Sequence, residues 1–330
     1  MDRQLHVTGG RRRVVVTGRI PVDGTDMLEA DHDVWAWESS DPISRAELLQ
    51  RVAGADAIVS LLTERIDGEL LDAAGPQLRV VANVAVGYNN IDVLACHARG
   101  VVATNTPGVL TDATADIAMA LILMSTRRLQ EGERVIRSRQ PWQWGMFYML
   151  GTAIQGRRLG IVGMGQIGAA LARRAKAFGM TIAYSNRRAI ADELAAELGC
   201  VRMDMAELLA TSDVVSLHCP YSQETHHLIG AFELESMRSS AYLINTARGP
   251  VVDEAALANA LASGQIAGAG LDVFEHEPTV HPKLLELDNV VLIPHLGSAT
   301  VETRTAMATL AAANVLAVLR GEPAPTPIST

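Results

Sequence analysis

Cysteine, long apolar runs and positive charge are all in short supply in this sequence, and each shortage excludes something. The three cysteines, Cys96, Cys200 and Cys219, lie far apart with no CxxC pair. Neither a disulfide framework nor a zinc ribbon is expected, and a reducing cytoplasm fits. The longest uninterrupted apolar run, Ile117 to Met124, is far too short to cross a bilayer. The formal net charge of -9 argues against nucleic acid or an anionic membrane surface as partner, while leaving room for a local basic pocket. The first residues, MDRQLHVTGGRRR, are polar, with no long apolar region after the arginines. A loose leader is expected there, not a secretory signal. No internal repeat or low-complexity segment is visible.

What is present describes a soluble globular chain: 48% hydrophobic and 20% charged residues over 330 positions, long for one core and comfortable for two domains. Short β-branched runs alternate with alanine- and leucine-rich helical segments, the pattern of parallel sheets wrapped by helices. Early strands are expected at RRVVVTG, ADAIVSLL and LRVVANVAVG, later ones at DVVSLHCP, AYLINTARG, AGAGLDVF and NVVLIPHLG. One long helix is expected over Thr111 to Arg139, with Asp112 and Asp116 in the first turn, where the helix dipole favours negative charge. Asp253 reads as the N-cap of another helix and Gly264 as the residue just past its end. The tail GEPAPTPIST is expected to be an ordered arm or a frayed end.

Near the middle lies RLGIVGMGQIGAALARRAKAFGMTIAYSNRR. Gly163-Met164-Gly165-Gln166-Ile167-Gly168 is a GxGxxG between a strand and an amphipathic helix. In that setting Gly163 permits the tight turn, Gly165 lets backbone approach a pyrophosphate, and Gly168 lets helix and strand pack closely. An NAD site usually carries an acid about 20 residues on, bonded to the ribose 2′-hydroxyl. Here the second strand is expected to end at Asn186, eighteen residues after Gly168, followed by Arg187 and Arg188. A carboxylate there would repel the 2′-phosphate of NADP, since two unit charges ~4 Å apart interact by roughly 1 to 4 kcal/mol between bulk water and a protein surface. Two arginines reverse that sign, so NADP(H) is the preferred cofactor, with NAD(H) possible. The plainer alternative is a solvated basic turn.

Three later segments place polar residues where strands stop: Arg248 in LINTARG, Asp272 to Glu277 in LDVFEHEP, and His295 in LIPHLGS. In open α/β sheets ligands bind beyond the carboxyl ends of strands. The set suits reduction of a 2-oxo acid. Hydride arriving at a carbonyl carbon leaves an alkoxide; a histidinium can protonate it, and a carboxylate orients that histidine. A guanidinium grips the substrate carboxylate in a fork. Each has a duller alternative: a turn residue at Glu277, a surface charge at Arg248, a structural histidine, and a strand-terminating cap at Asp272 in place of a nicotinamide contact. His226, His227, His276 and His281 show no metal-ligand spacing, so no metal is expected. Cys219 has no evident base nearby and reads as wall.

From about Arg13 to Glu322 the chain resembles the D-isomer-specific 2-hydroxyacid dehydrogenases, through VAVGYNNID, TNTPGVLTDATAD, GIVGMGQIG, LHCPYSQETHHLI, INTARGPVVDEAAL, GAGLDVFEHEP and PHLGSAT. Within that family LLTERID, VANVAVGYNNID and the non-acidic SNRR are most similar to glyoxylate/hydroxypyruvate reductases, including the branch that reduces 2-ketogluconate. The resemblance implies two doubly wound parallel-sheet domains, a Rossmann cofactor domain and a flavodoxin-like substrate domain, with the active site in the cleft. It places a discontinuous substrate domain at 1–105 and 295–330, the cofactor domain at 106–294, and a homodimer joined through the latter.

It also implies roles. Arg248 is the substrate-binding arginine, Glu277 the carboxylate paired with the catalytic histidine, and His295 the acid/base. Val86 and Gly87 belong to the loop whose amides hold the substrate carboxylate, and Leu62 to the segment that covers it. Gln166, Ile167, Cys219, Thr246 and Asp272 match cofactor contacts, and Ser185, Pro220, Ala247 and Gly297 complete the cofactor set. Two departures stand out: Thr152-Ala153-Ile154 replaces an acidic motif within Pro141–Gly156, and Asn89 replaces an aspartate. A binding protein like the nucleotide-sensing corepressors of this fold is the alternative from another class, but their extra docking segments are not seen. A phosphoglycerate dehydrogenase usually prefers NAD and carries a regulatory domain, and a formate dehydrogenase would not keep Glu277.

Overall fold

The structure is a computed structural model describing residues 10–139 and 141–329, so of the expected loose leader MDRQLHVTGGRRR residues 1–9 lie outside the described residues, while its end is held: Arg11 donates to Asp33 Oδ1 at 2.6 Å and Arg13 opens the first strand. The chain divides into two compact units, residues up to 110 with those from 300 onward, and residues 111–299. The divisions expected from sequence, at 105/106 and 294/295, fall five residues earlier than these. The difference comes from where helices begin. A helix opens at Thr111, and Thr300 caps the helix Val301–Arg320, its hydroxyl accepting the Thr303 N–H at 3.1 Å.

In the first unit the strands are β1 (Arg13–Val16), β2 (Asp33–Ala36), β3 (Ala57–Ser60), β4 (Val80–Asn83) and β5 (Val102–Thr104), all parallel in the order β2-β1-β3-β4-β5. That order is the flavodoxin-like winding. Side chains alternate across the sheet: Val14, Val16, Val59 and Val80 face one core, while Val15, Ile58 and Val81 face another. A sheet covered on both faces reads as unbroken apolar runs, which is why these strands were visible in the sequence. Helix Val301–Arg320 returns to this unit and crosses helix Val22–Glu29 at Gly24, where a Cβ would come within 2.9 Å of Ala308 Cβ. The tail is an ordered arm over its described part: Ile328 N–H donates to Ala103 O at 2.8 Å and Thr326 N–H to Asn314 Oδ1 at 2.9 Å.

The second unit carries β6 (Arg158–Val162), β7 (Thr181–Ser185), β8 (Val201–Arg202), β9 (Val214–Leu217), β10 (Tyr242–Asn245), β11 (Gly268–Leu271) and β12 (Val290–Leu292). They form a seven-stranded parallel sheet in the order β12-β11-β10-β9-β6-β7-β8. This is dinucleotide-fold winding with a seventh strand, and the order reverses between β6 and β9, the place such sheets bind ligands. The expected helix over Thr111 to Arg139 is in fact two, Thr111–Thr126 and Leu129–Arg137. Arg128 breaks it with a φ of 55°, held by a two-pronged ion pair to Glu131 at 2.8 and 2.6 Å. Asp112 lies in the first turn as expected; Asp116 lies one turn further on, and both meet the Arg174 guanidinium. Asp253 does cap its helix, accepting the Ala256 N–H at 2.9 Å, and Gly264 follows the helix end with a φ of 72°.

Candidate active site

The glycine turn joins β6 to the helix Gln166–Ala177, and its three glycines differ in what demands them. Gly163 has a φ of 94°, and a Cβ there would stand 2.5 Å from the Cys219 nitrogen. On Gly168 it would lie 2.8 Å from Gly163 O. Protein packing therefore requires both. A Cβ on Gly165 would meet nothing of the protein within 4 Å. What Gly165 keeps bare is the N-terminus of the helix, where the amides of Gln166, Ile167 and Gly168 precede the first i→i−4 acceptor. Bare backbone and outward N–H groups at a helix start fit a dinucleotide pyrophosphate.

Beside this turn β7 ends at Ser185, one residue before the expected Asn186, and Ser185 O accepts the Gly163 N–H at 3.1 Å. Asn186 then laces the two turns together. Its Oδ1 accepts the Met164 N–H at 2.6 Å and its Nδ2 donates to Met164 O at 3.3 Å. An amide side chain can both accept and donate in this way, whereas a carboxylate would leave Met164 O facing an acceptor. Arg187 and Arg188 are exposed, and neither guanidinium has a hydrogen-bond or ion-pair partner among the described residues. Sequence reasoning missed Arg202, whose guanidinium donates to Asn186 O at 3.0 Å and Arg187 O at 3.1 Å. It holds the basic turn by its backbone, and nothing in local spacing signals a contact across sixteen residues.

The residues expected to carry the acid/base chemistry stand beyond β10, β11 and β12. At the end of β10 the buried Asn245 forms an Asx turn, accepting the Ala247 N–H at 3.0 Å and donating to Arg248 O at 2.9 Å. Arg248 is partly buried, with one guanidinium nitrogen on Ala247 O at 2.8 Å. Burial works to lower its pKa, and the nearby Glu277 carboxylate opposes that. Gly249 lets the Glu277 loop lie against this turn: a Cβ there would fall 1.8 Å from the Phe274 carbonyl. Glu277 Oε1 accepts the Phe274 N–H at 3.0 Å, and Oε2 meets His295 Nδ1 at 2.8 Å. Burial works to raise the Glu277 pKa, but the bond and charge of His295, the Phe274 N–H and the Arg248 guanidinium together bring it below its ordinary value.

With Nδ1 committed to the carboxylate, the Nε2 of His295 is the nitrogen left to face a ligand. The histidine sits at a φ of 52°, in the left-handed region, and is held there from β11. His295 N–H donates to Asp272 O at 2.8 Å, while the Asp272 carboxylate accepts Leu296 N–H at 2.5 Å and Gly297 N–H at 2.8 Å. Asp272 is 1% exposed, and burial raises its pKa against those bonds. Its oxygens thus bind the loop that presents His295. Thr114, another residue missed from sequence, closes the loop from the other side, its hydroxyl on Gly297 O at 3.1 Å.

The remaining cofactor candidates line the end of β9 and the turn after β10. The Cys219 thiol is pushed up to about 11 by burial, which makes it wall and not a nucleophile. Its neighbour His218 is pushed down to about 4 by burial; its Nε2 meets Ser216 Oγ at 2.8 Å and its Nδ1 meets Thr246 Oγ1 at 3.5 Å. Pro220 is exposed and Ala247 partly so. Among the described residues no group of three metal-ligating side chains converges, and no helix is long and apolar enough to cross a membrane.

In the first unit Leu62 and Val86-Gly87 follow β3 and β4. The buried Glu64 accepts the Leu61 N–H at 2.6 Å, and Asn90 donates to Leu61 O at 3.0 Å. Asn105 donates to Val86 O at 2.8 Å and Asn83 to Gly87 O at 3.0 Å. The loop's carbonyls are thereby engaged, whereas the amides of Val86 and Gly87 have no acceptor among the described residues.

Against known proteins, the sequence profile described as "D-isomer specific 2-hydroxyacid dehydrogenase, NAD binding domain" matches residues 119–297. The chain belongs to that family. Its second unit holds the family's nicotinamide-cofactor domain. Over 319 residues, 95% of each chain, it is 50% identical to the glyoxylate reductase of Thermococcus onnurineus. A crystal structure of a Thermus thermophilus protein superposes with a TM-score of 0.90 at 42% identity, covering 96% of this chain and all 100% of that one. The NADPH-dependent glyoxylate/hydroxypyruvate reductase of Sinorhizobium meliloti, solved with NADP and malonate, gives a TM-score of 0.82 at 35% identity over 97% of both chains.

Proposed function

We propose that this dehydrogenase reduces small 2-oxo acids, glyoxylate and hydroxypyruvate foremost, to D-2-hydroxy acids with NADPH. The observation that carries the reading is the His295 Nδ1–Glu277 Oε2 contact of 2.8 Å, set beside Arg248 at the strand ends of a dinucleotide sheet. The reduced nicotinamide, when bound, supplies the hydride. His295 donates the proton to the developing alkoxide from Nε2, while Glu277 keeps the ring oriented and stabilises its charged form. Arg248 grips the substrate carboxylate and polarises the carbonyl. Leu62, Val86 and Gly87 complete the substrate contacts, the two engaged carbonyls of that loop leaving its amides to meet the carboxylate.

For the cofactor, Gly163, Gly165, Gln166, Ile167 and Gly168 carry the pyrophosphate and Ser185 to Arg188 the 2′-phosphate. Cys219, Pro220, Thr246, Ala247, Asp272 and Gly297 surround the nicotinamide end. The names of the relatives above support the substrate class, and the S. meliloti complex supports NADP. Homodimer formation in the cytoplasm belongs to the same proposal. It is supported by an exposed apolar segment of the second unit, with Trp142 54%, Trp144 73% and Phe147 89% exposed. The test is steady-state NADPH oxidation with glyoxylate, hydroxypyruvate and 2-ketogluconate. Turnover led by the first two supports the reading, and a lead for the third favours the 2-ketogluconate branch. NADPH binding with no turnover on any of them sinks it in favour of a sensing protein.

A further inference from the structure

Glu277 can hold His295 only if its own loop is held, and the support comes from one carboxylate outside it. Glu254, the first residue of the helix Glu254–Ser263, is 5% exposed. Its Oε1 accepts the N–H of Glu275 at 2.5 Å and its Oε2 accepts the N–H of His281 at 3.2 Å. These donors lie on either side of Glu277, so a single side chain ties down both flanks of the loop. The tie is returned: Glu275 Oε2 accepts the Glu254 N–H at 3.4 Å, one of the amides a helix start leaves without a partner, and Glu275 Oε1 meets His227 Nε2 at 2.7 Å. A buried carboxylate is tolerated where its oxygens are hydrogen-bonded, and a helix N-terminus favours its charge.

We propose that Glu254 is a positioning residue for the acid/base pair, fixing the place of Glu277 through the two backbone N–H groups that flank it. The proposal rests on His295 and Glu277 acting as the pair described above. Two donors need two acceptors. A glutamine at 254 has one acceptor oxygen, and its amide NH₂ would face the second N–H, so one flank of the loop is released.

Steady-state kinetics of Glu254→Gln, Glu254→Asp, Glu277→Gln and the double variant Glu254→Gln/Glu277→Gln, with glyoxylate and NADPH, test this. Glu254→Gln should lower kcat about 10- to 100-fold, the scale of a misplaced reacting group, with the KM for NADPH little changed. Its pH profile of kcat should move in the same direction as that of Glu277→Gln. The double variant should lose no more than Glu277→Gln alone, because the position of an absent carboxylate no longer matters. Glu254→Asp, which keeps both acceptors, should recover part of the rate; it also carries the test if the glutamine variant does not fold. Unchanged kcat in folded Glu254→Gln or Glu254→Asp, or losses that multiply in the double variant, would overturn the proposal. Full activity in Glu277→Gln itself would sink the acid/base reading beneath it, which is a separable result.

Discussion

The two ends of the dinucleotide sheet are built differently. At the end proposed for acid/base chemistry nearly every polar group is tied from within: Asn245 sets the Arg248 turn, Asp272 sets the His295 loop, and Glu254 sets the loop of Glu277. At the basic turn after β7 the backbone is held by Arg202 and Asn186, yet Arg187 and Arg188 project outward. A proton donor needs its geometry set before substrate arrives, because misplacement is costly to rate. A phosphate grip tolerates long, solvated side chains, because charge attracts over several ångströms. One end should therefore control kcat, and the other cofactor choice.

The sharpest way to break that division is His295→Ala. Turnover should fall about 10²–10⁴-fold, while NADPH affinity, read by fluorescence titration, stays near the parent's. A matching loss of affinity would mean that His295 serves the cofactor. Glu277→Gln should cost less and move the pH profile of reduction toward acid, since an imidazolium deprived of its carboxylate gives up its proton more readily. An unmoved profile would remove Glu277 from the pair. There is a stability counterpart. The Glu277 carboxyl lies below its ordinary value of 4.5, so the stability it contributes is fully present above that pH and is lost as pH falls through the depressed value. Melting temperatures of parent and variant should converge in that acid range.

At the other end, the pair Arg187→Ala and Arg188→Ala should reduce preference for NADPH over NADH at least about tenfold, from one or two charge-assisted contacts of ~1.5–3 kcal/mol each. kcat should hold, and the preference of the parent should weaken with added salt. Equal losses with both cofactors would show that the arginines only stabilise the turn. The smallest effect is expected from adding Asn186→Asp to that pair, which tips preference a further step toward NADH through the ribose hydroxyls. It also removes the donor now on Met164 O, so a slight fall in melting temperature should accompany it.

How much of this was legible in the sequence follows the same division. The buried strands read as β-branched runs because both faces of each sheet are covered, and Arg248, Glu277 and His295 stood out because parallel strands gather their carboxyl ends on one edge. β8 has two exposed residues, β2 (DVWA) has no fully buried one, and β5 is only three residues long; none of these stands out as such a run. The break at Arg128 was hidden because helical composition continues across it. The ties of Glu254, Asp272 and Arg202 join residues fifteen to twenty-seven positions apart, and no periodicity encodes which side chain meets which backbone group. Asn245 is the exception. An asparagine at a strand end before Thr-Ala-Arg-Gly is a local turn signal that was there to be read.

The return of helix Val301–Arg320 to the first unit bears on how the chain is made. Its Ala311, Ala312, Val315 and Leu319 cover the face of β1, β3 and β4 formed by Val14, Val16, Val59 and Val80. On a ribosome that face emerges early and its cover emerges last, after the whole of residues 111–299. At about 5–20 residues per second the delay is roughly 10–40 s. By the end of that interval the second unit has every residue it needs to close, while the valine-rich sheet of the first is still uncovered. The nascent chain in that window, more than the finished protein, is what a chaperone would meet.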